Sequence, residues 1–445
     1  MKNYLICPHC ESQDIHQHGF YEVKTGWRRR WRCKKCEKTF SKSTLTEEEL
    51  LTKEPSDSNQ EKLALTTSQK RAIKKNVREH IKEVFPEKSN TRYSREDIVE
   101  LLLHICLNNA FLSSGTEQYK DQNTNQETPS KNTLYGRLRE VDPEVVLQVL
   151  DTICHQLCKQ LKQSGAITPP VDVAIDEHDW RFYGDPDSQG VTRTKPDQGT
   201  SKAYKFLTIC IVSRGLRLTL GVVPLEETTV VPMRDAVITL VKKARKRVNI
   251  RFLYADRGFY MAPVIDALKG RVKFFIRARL SKKMQRRYRN HSGATCVGSY
   301  TVQRKRGEPY VQTKATLVIG GQTKQSKQDE LVAFVTNLTL TEPMGAKLME
   351  RYRSRWGIET SYRMIRQFLA RTTSRKYQIR IGLFVLAIML YNFWLYENGR
   401  RTHSRWINSA RFAGLLQSHR SHGRKDSAAF FLLVLMRQKQ KARGE

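Results

Sequence analysis

Three acidic residues sit where a carboxylate can be aimed at a reacting group. Asp176 ends the apolar run VDVAI, and Asp256 ends IRFLYA and is followed by Arg257 and Gly258. Runs of this composition are expected to be buried strands, and acids at strand ends of an α/β sheet are ordinary site positions. Each aspartate alone would serve equally well as a turn residue. The third acid, Glu359, lies in ERYRSRWGIETSYRMIRQFL. Drawn as one helix at about 100° per residue, Tyr352, Arg355, Glu359 and Arg366 fall at roughly 0°, 300°, 340° and 320°. Ile358, Tyr362, Ile365 and Leu369 form a separate apolar stripe beside them. Such a helix packs one face and points a carboxylate, with basic and phenolic groups, along the other. Two Asp and one Glu suit a hard divalent cation, which prefers carboxylate oxygen. Asp172 shares a strand face with Asp176 and competes for the first position; Glu177 and Asp179 flank it, and His178 reads as a neighbour, not a ligand.

A second cluster lies near the N-terminus. Cys7-Pro-His-Cys10 and Cys33-Lys-Lys-Cys36 are two C-x2-C knuckles with 22 residues between them. Two such pairs complete a closed tetrahedral zinc site, and a unit this polar would draw much of its folding energy from the ion. His9, His16 and His18 are alternative ligands. Between the knuckles, WRRRWRC alternates along a strand, so Arg28, Arg30 and Arg32 share one face at about 7 Å spacing, a surface suited to a DNA backbone or simply to solvent.

The chain has 445 residues and a formal net charge of +35. So large an excess calls for a polyanionic partner, either nucleic acid or an anionic membrane. The longest apolar stretch, Ile381–Tyr396, has 16 residues and contains Asn392. A spanning helix needs about 20, so a buried core helix is expected and no membrane partner. MKNYLICPHC has no run of signal-peptide length, which favours a cytoplasmic, nucleoid-associated protein.

The composition divides the chain into a zinc ribbon (1–41), a polar linker (42–66), a helical DNA-binding region (67–168), an α/β part (169–276), a β-rich insertion (277–340), a second α/β part (341–399) and a basic C-terminal region (400–445). In the helical region Ser94 with Asp97 reads as a cap. Ser130 or Asn132 would open a helix exposing Lys131, Arg137 and Arg139, either for recognition or as plain surface. VDVAID, KAYKFLTICIV, LRLTLGVVPL, IRFLYAD and VKFFIRA read as strands, with helices before and after IRFLYAD, giving a three-layer α/β domain.

With these motifs in order, the sequence resembles a DDE transposase of the insertion-sequence type, in the branch marked by Tyr-x2-Arg-x3-Glu-x6-Lys. Tyr352, Arg355 and Glu359 match, and Arg366 stands where lysine is usual. The resemblance covers about 170–395. It implies an RNase H-like catalytic domain interrupted by an all-β insertion, with Asp176, Asp256 and Glu359 holding two Mg²⁺ or Mn²⁺ ions. It implies double-stranded DNA as partner, both element ends and target, and a homodimer or higher oligomer on DNA. The chemistry would be phosphodiester cleavage and strand transfer by the freed 3′-OH, with two ions about 4 Å apart serving the attacking and leaving oxygens. Tyr352, Arg355 and Arg366 would hold flanking phosphates. Two rivals stay open: a zinc-ribbon regulator on an inactive scaffold, and a metal-dependent nuclease without strand transfer.

Overall fold

A computed structural model of the chain describes residues 15–23, 26–37, 39–40, 65–197, 199–213, 216–226, 229–303, 310–323 and 329–420, with side chains left out at 15–30, 40, 322–330 and 399–420. Near the N-terminus β1 (Ile15–Val23), β2 (Gly26–Cys33) and β3 (Thr39–Phe40) form a small antiparallel sheet. Five helices follow: α1 (Thr67–Lys82), α2 (Arg95–Leu107), α3 (Leu112–Asp121), α4 (Lys131–Arg139) and α5 (Pro143–Gln163). Four of their starts are written in the sequence. Thr66 with Gln69 and Ser94 with Asp97 form reciprocal capping boxes, Ser130 accepts the Thr133 amide, and Asp142 caps α5 ahead of Pro143. Each satisfies amide donors that the first helical turn leaves open.

The body of the molecule is a nine-stranded mixed sheet. Its strands are β4 (Val171–Arg181), β5 (Val191–Asp197), β6 (Thr200–Ile211), β7 (Thr219–Leu225), β8 (Ile250–Ala255), β9 (Phe274–Ala278), β10 (Thr295–Gln303), β11 (Gln312–Thr323) and β12 (Asp329–Thr336). The order is β10-β11-β12-β9-β8-β4-β6-β5, with β7 also on β6. β4 is antiparallel to β6 but parallel to β8, which is parallel to β9. The strands expected in the β-rich segment do form, and β12 pairs antiparallel with β9, so they lengthen this one sheet. β5 had no expectation: its exposed, Lys- and Pro-containing pattern carries no apolar alternation.

Alternating side chains feed two cores, as strand pleating requires. Val173, Ile175, Leu253 and Ile276 pack with α6 (Val230–Arg247) and α7 (Ala262–Leu268), while Ala174, Tyr254, Phe275 and Phe206 face the opposite helices. These include α9 (Glu342–Arg351), α10 (Trp356–Ile365) and α11 (Tyr377–Arg420), with α8 (Lys282–Arg289) preceding β10. α11 contains the long apolar stretch. It is apolar and long enough to cross a membrane, but 83% of its apolar window is buried within the protein, against α5 and α1. Asn392 explains its one polar position. The side chain is fully buried, accepts from the Thr219 amide at 3.1 Å and donates to the Thr219 carbonyl at 2.9 Å, stitching the helix to β7.

One further tie fixes the sheet for the site. Asp172, only 4% exposed, accepts two bonds from Arg251 of β8, both at 2.7 Å, and a third from Arg351 at the end of α9, at 3.1 Å. One carboxylate therefore joins the three chain segments that lead to Asp176, Asp256 and Glu359.

Two measurements check this packing. Asn392→Leu leaves the buried Thr219 amide without a partner and should lower unfolding stability by about 1–3 kcal/mol in denaturant titrations. Asp172→Asn keeps the volume but removes the charge both arginines share, and is expected to cost about 1–3 kcal/mol by the same assay; wild-type stability in either variant would contradict the role assigned.

Candidate active site

Asp176, Asp256 and Glu359 line one cleft of about 1730 Å³. The parallel pairing puts Ile175 opposite Ala255, so the two aspartates come next on neighbouring strands. Asp256 leaves its strand directly into a 3-10 turn, Arg257–Phe259, which it caps: Oδ1 accepts the Gly258 amide at 2.7 Å. A Cβ on Gly258 would lie 2.9 Å from that same oxygen, so a larger residue there would push the carboxylate from this position. Asp176 Oδ1 accepts the Glu177 amide at 2.9 Å. Glu359 comes from the first turn of α10.

The stretch that reads as one helix is broken in the structure. α9 ends at Arg351, Tyr352–Arg355 is a 3-10 turn, and α10 begins at Trp356. In a 3-10 turn residues three apart eclipse, and the assumed 100° step fails there. Tyr352 does not stand on an open face with Glu359. It is buried, and its hydroxyl donates to the Ala255 carbonyl at 3.0 Å. Tyr362, from the apolar stripe, donates to the Asp176 carbonyl at 2.9 Å and shares a 2.7 Å bond with Thr208. The two phenols thus hold the backbone beside each aspartate. Gly357, just after this break, is buried where a Cβ would lie 2.2 Å from Arg217 Nε. Arg366 lies exposed on the cleft wall, as does Trp356, which is 61% exposed.

Arg355 is the charge at the centre. It donates to Glu359 Oε1 at 2.6 Å and to Asp176 Oδ2 at 3.4 Å, while its buried Nε has no hydrogen-bond partner. Burial pushes the Asp176 carboxyl up to about 7; Arg355 opposes this, and Asp256 and Glu359 add to it. Burial works against the Arg355 charge, yet Tyr352, Asp176 and Glu359 keep its pKa above the ordinary value. Among the described residues no three His, Cys, Asp or Glu side chains converge closely enough to chelate one ion. At this cleft the guanidinium stands between Asp176 and Glu359. The donor set is nonetheless all carboxylate, the type hard divalent cations take, and a cation would relieve the repulsion that raises Asp176.

Several sequence candidates fall elsewhere. Asp172 is consumed by Arg251 and Arg351 and is no rival for Asp176. His178 is buried between Tyr362 and Phe384, 4.8 and 5.0 Å between ring centres, and burial lowers its pKa to about 3. Lys205 takes Glu177 at 2.9 Å and Asp179 at 3.2 Å. Arg137, expected to be exposed on its helix, is buried and donates to the Pro86 carbonyl at 2.7 Å, while Lys131 and Arg139 are exposed. Cys33 is buried, and its sulfur accepts the Lys35 amide at 3.3 Å; Cys36 is half-buried. Cys7 and Cys10 lie outside the described residues. Arg32 pairs with Glu37 at 3.2 Å; the side chains of Arg28 and Arg30 are not described, though both sit on β2.

The roles of Tyr362, Gly258, Arg251 and Arg351 had no signal of their own in the sequence.

Residues 167–393 match the model of a family described as the transposase DDE domain. No curated protein matches the chain. Among solved structures, a cryo-EM structure of piggyBac transposase in a synaptic complex with hairpin DNA is 14% identical, over 76% of this chain and 74% of that one, with a TM-score of 0.44; a likeness that low carries no weight. The family match spans just over half of the chain and includes Asp176, Asp256 and Glu359, so the protein belongs to the DDE transposase family.

Proposed function

We propose that this transposase binds the ends of its mobile element and uses Asp176, Asp256 and Glu359 to cut DNA and join the freed 3′ end to a target. The reading rests chiefly on one observation: parallel pairing of β4 with β8 sets two aspartates side by side in the cleft that Glu359 also lines. The sheet supports an RNase H-like catalytic domain, since β7, β6 and β4 are antiparallel neighbours and β8 and β9 then continue in parallel. In this layout 169–276 and 341–399 build that domain, and 277–340 inserts between them.

The three carboxylates would hold two Mg²⁺ or Mn²⁺ ions. Bound there, divalent cations supply Lewis-acid chemistry, lowering the pKa of an attacking water and stabilising a leaving oxygen. The chain's own residues do the rest. Tyr352 and Tyr362 fix the strand backbones that carry the acids. Arg355 holds Asp176 and Glu359 in place. The exposed Arg366 offers a planar fork to a flanking phosphate. Tyr352 acts through the backbone, since its hydroxyl is already taken by Ala255.

Upstream, we propose that Cys7, Cys10, Cys33 and Cys36 hold one structural Zn²⁺. The Lys35 amide donating to the Cys33 sulfur supports this, because such bonds stabilise thiolate. Arg28, Arg30 and Arg32 then contact the backbone of double-stranded DNA, with 67–168 as a further DNA-binding region. The enzyme would act in the cytoplasm on nucleoid DNA, as a homodimer or higher oligomer.

The catalytic claim is checked by cleavage of a supercoiled donor plasmid carrying the native ends. Glu359→Gln should fold and bind ends yet lose Mg²⁺-dependent cutting by several orders of magnitude, since a neutral amide is a poor ligand for a hard cation. Arg355→Ala should lose only about ten- to a hundred-fold, one charge-assisted contact. Wild-type cutting by Glu359→Gln, or cutting in excess chelator, would overturn the three-carboxylate reading. Cutting without any joining would favour a plain nuclease. The zinc claim predicts about one zinc per purified chain, lost in Cys33→Ser; full zinc content in a chain lacking Cys33 and Cys36 would refute it.

A further inference from the structure

A second cleft, of about 820 Å³, opens at the other end of the parallel strands. Its floor is the start of β4, β8 and β9. The Val171 amide donates to the Asn249 carbonyl at 2.9 Å, the Leu253 amide to the Lys273 carbonyl at 2.8 Å, and Asn337 bonds both Val272 and Phe274. These bonds tie the starts of the three strands together. Around it stand Lys162, Arg245, Lys246, Arg271 and Lys273, all exposed. No carboxylate lines the cleft, and among the described residues none pairs with any of these five. The two nearby acids are already used: Asp151 by Lys243 and Arg247, Asp172 by Arg251 and Arg351.

Lys162, Arg245 and Lys246 stand in the last turns of α5 and α6, where a helix C-terminus favours positive charge, and Arg271 donates to the Ala267 carbonyl at the end of α7, but no carboxylate offsets the combined charge of the five in this one concavity. Such a cluster fits a polyanion with evenly spaced charges. Val171 pairs with Ile250 at this end, whereas Asp176 follows the Ile175–Ala255 pair at the other. Five strand residues, at about 3.3 Å each, separate them by roughly 16 Å. A phosphate seated here is therefore not the one facing the carboxylates.

We infer that this cleft binds the phosphate backbone of a second DNA duplex, distinct from the stretch being cut. Its contacts are to phosphates and carry no sequence preference, as a partner chosen for joining rather than for its sequence requires. The inference rests on the DNA-joining function above, so its experiment reads binding apart from cleavage.

The test uses the full-length protein with Lys246→Ala, Arg271→Ala and Lys273→Ala combined. Binding to a random-sequence duplex of about 40 base pairs is followed against salt; each phosphate contact contributes about 0.9 to the slope, so the slope should flatten by about two to three. Cutting at a native end should stay within about two-fold of wild type, while joining to a second duplex falls at least about ten-fold. A variant with Lys246→Arg and Lys273→Arg, which keeps the charge, should retain the slope and so separates charge from packing. Glu359→Gln should bind with the wild-type slope, which keeps this result readable if the catalytic reading fails. An unchanged slope in the triple variant overturns the proposal. So does a loss of poly-glutamate binding with DNA binding intact, which would assign the cleft to an acidic protein.

Discussion

The parallel pairing of β4 with β8 is the constraint on which the rest of the site depends. Side chains alternate along a strand, so a one-residue slip would turn an aspartate to the wrong face of the sheet. With Ile175 opposite Ala255, Asp176 and Asp256 arrive together at the strand ends. Several contacts guard that register. Asp172 is tied to Arg251 four residues before Asp176 on the same strand, and Tyr352 and Tyr362 bind the backbone at Ala255 and Asp176. Arg351 links the same carboxylate to the segment that delivers Glu359.

Gathering acids at one place has an electrostatic cost, visible in the rise of the Asp176 pKa under burial and two neighbouring carboxylates. Arg355 is the internal answer. Its guanidinium bridges Asp176 and Glu359, and a buried ion pair of this kind fixes geometry more surely than it adds stability. Among the described residues no three acids converge on one point, and in this cleft the Arg355 guanidinium lies between Asp176 and Glu359.

Much of the scaffold was legible in the sequence because it depends on local rules. The apolar strands before Asp176 and Asp256 and the caps at Ser94 and Ser130 all follow from composition and spacing. The buried fate of α11 followed from its length and from Asn392. What was not legible depends on long-range packing or on backbone irregularity. The 3-10 turn at Tyr352–Arg355 upset a helical projection that assumed one regular helix. Arg137 looked exposed because nothing near it in sequence announces the Pro86 carbonyl. Asp172 could be named as a neighbour of Asp176, but its capture by Arg251 and Arg351 is a tertiary fact. β5 and the joining of β12 to β9 belong to the same class.

The central claim is that three carboxylates distant in sequence together bind the divalent cations of one active site. It is tested most directly by loading the protein with Fe²⁺ in place of Mg²⁺ and generating hydroxyl radicals, which cut the polypeptide only near the bound iron. The account predicts backbone cuts close to Asp176, Asp256 and Glu359 together, suppressed by excess Mg²⁺ and lost in Glu359→Gln. Cuts confined to one of these segments, or a pattern unchanged in Glu359→Gln, would contradict it.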